Sequence, residues 1–142
     1  MYTCETTIRV RYAETDRMGY VYYGNYAAYY ETGRVEALRA LGLSYKEMED
    51  KGIMLPVLSY SIKYFKPAFF DDFLTVKTTL KELPSGTRLA FEYEVWNDKG
   101  VCLNKGETTH VFVKVDGGRP ITIPQEVIDK LAPFFPSTAE NK

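Results

Sequence analysis

The chain has 142 residues, a net charge of -1 and a sequence pI near 5.9, a balance that gives no reason to expect nucleic acid or an anionic membrane as partner. Hydrophobic residues make up 45% and charged residues 26%, as in an ordinary soluble protein, and one domain over residues 1–142 can bury a core without disulfides or metals. Cys4 and Cys102 are too few for a disulfide framework and lack metal-site spacing, and no leader peptide or bilayer-length apolar run is visible, so a reduced, cytoplasmic setting with no cofactor or metal is expected.

In chain order, Thr6 to Tyr12 alternates, with Ile8, Val10 and Tyr12 on one face, which predicts a half-buried strand. Glu14 to Gly24 has no sustained period and carries two glycines, Gly19 and Gly24, which reads as a loop holding the acid Asp16. Asn25 is a candidate N-cap. From Tyr26 the spacing turns helical, with Tyr26, Tyr30, Gly33, Ala37 and Leu41 on one stripe and Arg34, Glu36 and Arg39 on the wetter side. Glu31 and Arg34 stand at the i,i+3 spacing of a surface ion pair. Gly33 costs about 1 kcal/mol inside a helix relative to Ala, which implies close packing against a sheet. Gly42 supplies a stop. Ser44, with Glu47 three residues on, predicts a capping box for a short segment ending at Gly52.

Four strands follow: Val57 to Phe65, Phe73 to Lys81, Arg88 to Trp96, and a long run from Val101 to Val115 in which Gly106 is a candidate bulge. Their connectors, Lys66-Pro67-Ala68 with Asp71-Asp72, Pro84-Ser85-Gly86 and Asn97-Asp98-Lys99-Gly100, are turn-forming, which predicts an antiparallel meander. Pro124 opens a last short helix to about Leu131, and the tail from Ser137 to Lys142 is expected to fray. One strand, a long helix and four antiparallel strands imply an α+β hotdog fold: a five-stranded antiparallel sheet wrapped around one central helix.

The run Arg11-Tyr12-Ala13-Glu14-Thr15-Asp16-Arg17-Met18-Gly19-Tyr20-Val21-Tyr22-Tyr23-Gly24-Asn25-Tyr26, followed by Tyr30-Glu31 and Arg34, resembles the signature of the 4-hydroxybenzoyl-CoA thioesterase-like acyl-CoA thioesterases. Tyr64-Phe65-Lys66-Pro67-Ala68 with Asp71-Asp72, and Arg119-Pro120 with Ile123-Pro124, also look like that family. The resemblance implies hydrolysis of an acyl-CoA thioester to free acid and CoA, Asp16 as the catalytic carboxylate, and a homodimer or homotetramer with the active site between subunits. It departs at Tyr23, where many bacterial members carry a histidine. The one histidine here, His110, falls in the last strand, so a His-Asp pair at the loop is unavailable.

Thioester hydrolysis needs a carboxylate to attack the carbonyl or activate water, and donors for the developing oxyanion. Asp16 fits the first role. Backbone N–H groups around Tyr23 to Asn25, at the positive end of the helix, fit the second, and Gly24 allows close approach. Tyr23 is a candidate orienting group, and Gly24, Asn25 and Tyr26 are candidate substrate contacts. An Asx-turn is the ordinary alternative for Asp16, and a helix cap for Asn25. Lys63, Lys66, Arg88 and Lys105 could meet CoA phosphates or simply line a solvated strand face. Two other functions remain open: a hotdog hydratase acting on acyl-CoA or acyl-carrier-protein substrates, and a non-catalytic acyl-binding protein.

Overall fold

The computed structural model describes residues 1–136; the expected fraying of Ser137 to Lys142 lies outside them. Strand β1 spans Tyr2–Arg9, helix α1 Asn25–Ala40, helix α2 Tyr45–Asp50, β2 Ile53–Met54, β3 Val57–Tyr64, β4 Phe73–Leu80, β5 Arg88–Asn97, β6 Cys102–Val111, β7 Val113–Lys114 and helix α3 Gln125–Leu131. Five strands form one antiparallel sheet in the order β1-β4-β5-β6-β3, and β2 pairs with β7 beside it.

The sheet closes around α1 because its inner positions alternate as the sequence dictates. Leu74, Val76, Thr78 and Leu80 of β4, and Leu89, Phe91, Tyr93 and Val95 of β5, are all buried. They meet Tyr26, Tyr29, Tyr30, Ala37 and Leu38 of α1 in one core cluster. Each large apolar side chain so buried contributes roughly 1.5–3 kcal/mol. Gly33 is where helix and sheet come closest: a Cβ there would lie 2.8 Å from Val76 Cγ1 and against Thr78 Oγ1.

Several expectations are corrected. The meander holds only for β4-β5-β6, since β3 pairs with β6 and the chain crosses to the far side of the sheet before β4. The Lys66–Asp72 connector is therefore a crossover and not a hairpin. Strand β1 ends at Arg9, and Tyr12 enters a 3₁₀ turn, Tyr12–Glu14, where it is exposed. Gly106 is no bulge: it pairs regularly with Ile62 and Tyr93, and the register shifts fall at Val57/Ser59 and Val95/Trp96. Its lack of a side chain admits the Tyr30 ring, and a Cβ would also sit 2.7 Å from the Ser61 carbonyl oxygen. The long last strand is split, with β7 turning away to pair β2. Arg34 is buried and makes no ion pair with Glu31; the i,i+3 pair that forms on α1 is Glu36 with Arg39.

Strand β3 is an edge, and Leu58, Tyr60 and Tyr64 are exposed along it, although Tyr60 and Tyr64 set their rings against Tyr30 and Tyr26. A flat edge carrying large apolar side chains is a template for pairing with another chain.

Candidate active site

Asp16 sits in a tight loop between two antiparallel backbone contacts, Thr15 with Val21 and Tyr20 with Phe69. Its own N–H donates to the Tyr20 carbonyl at 2.9 Å, and its carbonyl accepts from Gly19 N–H at 3.0 Å. Its Oδ1 accepts from Met18 N–H at 2.8 Å. The side chain thus makes an Asx-turn. That turn uses one oxygen, and Oδ2 has no partner among the described residues. The half-buried carboxylate forms no ion pair there either. The loop therefore orients the group without neutralising it.

Glu14, which the sequence reading passed over, ties this loop to the helix. Its carbonyl accepts from Tyr22 N–H at 2.9 Å and from the Asn25 side-chain amide at 2.8 Å. Its Oε1 accepts from the Tyr29 hydroxyl at 2.9 Å and from Arg11 N–H at 2.8 Å. Burial alone would raise the Glu14 pKa, but the Arg11 N–H, the Tyr29 hydroxyl and the Arg11 guanidinium outweigh it and hold the carboxyl below its usual range. The only sequence signal was Arg11 three residues before Glu14; the contacts with Tyr29 and Asn25 depend on how α1 docks.

Asn25 is the first helical residue and not the cap: Gly24 occupies the cap position and makes no side-chain bond. The Asn25 N–H is also taken, by the Tyr22 carbonyl at 2.9 Å, and that of Tyr26 by Tyr23 at 3.3 Å. The Tyr23 and Gly24 N–H groups find no backbone partner among the described residues. Tyr23 is 63% exposed, and its ring lies 4.7 Å from that of Tyr22. The Tyr22 phenol is pushed up in pKa, first by its hydrogen bond with Tyr23. A Cβ at Gly24 would strike the Tyr22 ring at 2.9 Å. Tyr26 is buried, edge-on to Tyr29 and near Tyr64. Tyr23 and Gly24 thus stand exposed at the start of α1, Asp16 lies half-buried in the loop that leads into it, and Asn25 and Tyr26 are more enclosed.

Two of the basic candidates face each other on the sheet. Lys105 pairs with Glu94 at 3.3 Å and stands opposite Lys63 in the β3–β6 register. Asp71 and Asp72 hold their own crossover: Asp72 Oδ2 accepts from Phe69 N–H at 2.8 Å, and Arg9 donates to the Asp71 carbonyl at 2.9 Å. Among the described residues no His, Cys, Asp and Glu cluster has metal-holding geometry.

His110 is fully buried in β6, within a polar chain. Arg34 Nε donates to the Tyr45 hydroxyl at 2.9 Å, and its Nη1 donates to the Tyr93 hydroxyl at 2.9 Å. Tyr93 lies 2.6 Å from Thr108 Oγ1, which lies 2.8 Å from His110 Nε2, and His110 Nδ1 lies 3.2 Å from the Leu55 carbonyl oxygen. Desolvation, with the nearby Arg34 charge, pulls the His110 pKa down to about 4, so the ring is neutral near pH 7. The Leu55 carbonyl can only accept, so in that neutral ring Nδ1 carries the proton, Thr108 donates to Nε2 and Tyr93 donates to Thr108.

An antiparallel sheet closed over one long helix is the hotdog fold. A model of the thioesterase-like superfamily matches residues 10–131, and the chain belongs to that family. It is 31% identical to the acyl-CoA thioester hydrolase YbgC of Escherichia coli over 85% of this chain and 90% of that one. It is 34% identical to the DHNA-CoA thioesterase of Staphylococcus aureus, whose crystal structure superposes with a TM-score of 0.88 over 100% of this chain and 97% of that one. A Thermus thermophilus protein of solved structure is 38% identical, with a TM-score of 0.84 over 90% and 96% of the two chains.

Proposed function

We propose that this protein is an acyl-CoA thioesterase that hydrolyses a thioester to free acid and CoA, with Asp16 as nucleophile or general base. The observation that carries the reading is a carboxylate oxygen without a partner among the described residues, Asp16 Oδ2, in the hairpin that leads into α1, where the Tyr23 and Gly24 N–H groups are also without backbone partners. The amides would hold the thioester oxygen as it becomes an oxyanion, each such donor being worth roughly 10²–10³ in rate. The carboxylate would attack the carbonyl carbon, or take a proton from an attacking water. In either case the C–S bond breaks and the CoA sulfur leaves as thiolate; direct attack leaves the acyl group on Asp16 as an anhydride, which water then hydrolyses to free acid and the regenerated carboxylate. Tyr23 orients, and Asn25 and Tyr26 hold the wall behind.

The β3 edge, whose Tyr64 ring lies 5.8 Å from that of Tyr26 in the first turn of α1, is unpaired in one chain. A second copy joined at that edge would cover Tyr60 and Tyr64 and close the site, so the working form is a homodimer or a tetramer of such dimers. The hydratase alternative needs a histidine at the acid, and His110 is buried and already committed to Thr108 and Leu55. The test is thiol release from a panel of short, long and aromatic acyl-CoAs, run on wild type and on Asp16→Asn. Turnover of at least one substrate by wild type and its near-complete loss in the variant is expected. Full turnover by the variant would remove Asp16 from the reaction, and no turnover by wild type of any substrate would favour an acyl-binding protein.

A further inference from the structure

Arg34 lies nine residues past Asn25, about 13 Å along the helix at 1.5 Å per residue, and so well away from the Asp16 tip. It is 7% exposed, and among the described residues no carboxylate pairs with it. A buried guanidinium without a counter-charge carries a desolvation cost of several kcal/mol. The hydroxyl oxygens of Tyr45 and Tyr93 take Nε and Nη1 and offset part of it, while Nη2 has no partner among the described residues.

That side chain forms part of the wall of a cleft of about 620 Å³ between α1, α2, the β2–β7 pair and the start of β3. The volume lies in the range of small-molecule sites, and the lining is mostly apolar, including Met48, Ile53, Leu55 and Val113. The other charged groups in the lining, Glu31, Glu49 and Lys114, are all exposed. Leu55, whose carbonyl ends the His110 chain, also lines it, so the polar chain begins and ends at the cleft and fixes Arg34 on two sides. A single free guanidinium arm in an apolar wall suits one carboxylate. A phosphate has more oxygens than this wall has donors.

We propose that the cleft binds the carboxylate of a small, otherwise apolar acid, with Nη2 of Arg34 as the anchoring donor. The inference does not rest on the role of Asp16. Three of the four methionines report on it: Met48 and Met54 line the cleft, whereas Met18 lies in the Asp16 loop. Octanoate and benzoate, and their neutral amides, are titrated into the full chain labelled at the methionine methyls and followed by NMR. The Met48 and Met54 resonances should shift and saturate while Met18 stays, and each amide should bind at least tenfold more weakly than its acid. Arg34→Met should erase the preference for acid over amide, and Ile53→Trp, which fills the cleft and leaves Arg34 in place, should weaken both ligands. Equal binding of acid and amide by wild type, shifts at Met18 in place of Met48 and Met54, or no saturable shift at all would each overturn the proposal. If Arg34→Met does not fold, the amide comparison and Ile53→Trp still decide it.

Discussion

At the start of α1, Asp16, Tyr23 and Gly24 come from nine consecutive residues and stand at the surface, held by hydrogen bonds within their own hairpin. One helical stretch further on, Arg34, Tyr93, Thr108 and His110 come from α1, β5 and β6 and are all buried. The first group is short of partners: an open carboxylate oxygen and two open amides. The second, apart from one guanidinium arm, is saturated. Open groups near water can be removed at little cost to folding, and they can act on a substrate. Buried groups joined in a chain cannot lose a member without orphaning the next. The two regions should therefore respond in opposite ways to substitution, one in rate and the other in stability.

The sharpest form of that contrast is Asp16→Asn. Asparagine keeps the oxygen that accepts from Met18 N–H, so the Asx-turn survives and only the charge is lost. Acyl-CoA turnover should fall by roughly 10²–10⁴, the range for a positioned acid or base, with thermal unfolding unchanged. A large fall in melting temperature would show that Asp16 holds structure as well. Next in size is Gly106→Ala, behind the buried chain. The added methyl meets the Tyr30 ring, which stacks on Tyr93 at 4.3 Å, and the Ser61 carbonyl. Both neighbours belong to the sheet or to packed α1, so neither can move freely. A loss of about 2–4 kcal/mol in urea unfolding is expected, with rate per folded molecule little altered.

A third measurement uses pH. His110 titrates near 4 when folded and near 6.5 when unfolded, so between those values the unfolded chain binds more protons. Stability is then full above pH 6.5 and declines as pH falls toward 4, by about 3 kcal/mol at most from this group. His110→Gln removes the titration. The free-energy gap between wild type and variant should be widest near neutrality and narrow toward pH 4. A gap that stays constant would mean that His110 is not held neutral by its burial beside Arg34.

What could be read from sequence divides along the same line. The alternation of β4 and β5, the stripe on α1 and the need for a small residue at Gly33 were visible because each depends on spacing within one element. The Asp16 loop was visible because its groups are consecutive. Strand order was not: turn residues between β3 and β4 look alike whether the chain doubles back or crosses the sheet. Arg34 was misplaced because a charge on a helix stripe normally faces water, and the phenols that admit it to the core, Tyr45 and Tyr93, lie 11 and 59 residues away. Gly106 looked like a bulge because a glycine in a strand has two common explanations, and only the position of Tyr30 chooses between them.

Glu14 falls between the two regions and tests whether they are separate. Its carboxylate is half-buried, is bound to Arg11 and Tyr29, and belongs to the same hairpin as Asp16. Glu14→Gln keeps one acceptor oxygen and the size of the side chain but loses the charge. Its pKa is held below the usual carboxylate range, so its contribution is present at neutral pH and is lost as pH falls through that lowered value. At pH 7 the variant should lose about 1 kcal/mol of stability, as for a charged hydrogen bond weakened but not orphaned. Because the same residue aligns the Asp16 hairpin against α1, the maximal turnover rate should drop several-fold while the KM for acyl-CoA changes little. A stability loss with the rate intact would mean that the hairpin holds its geometry without being anchored to Tyr29. A rate loss as deep as that of Asp16→Asn would instead mean that the carboxylate of Glu14 itself takes part in the chemistry.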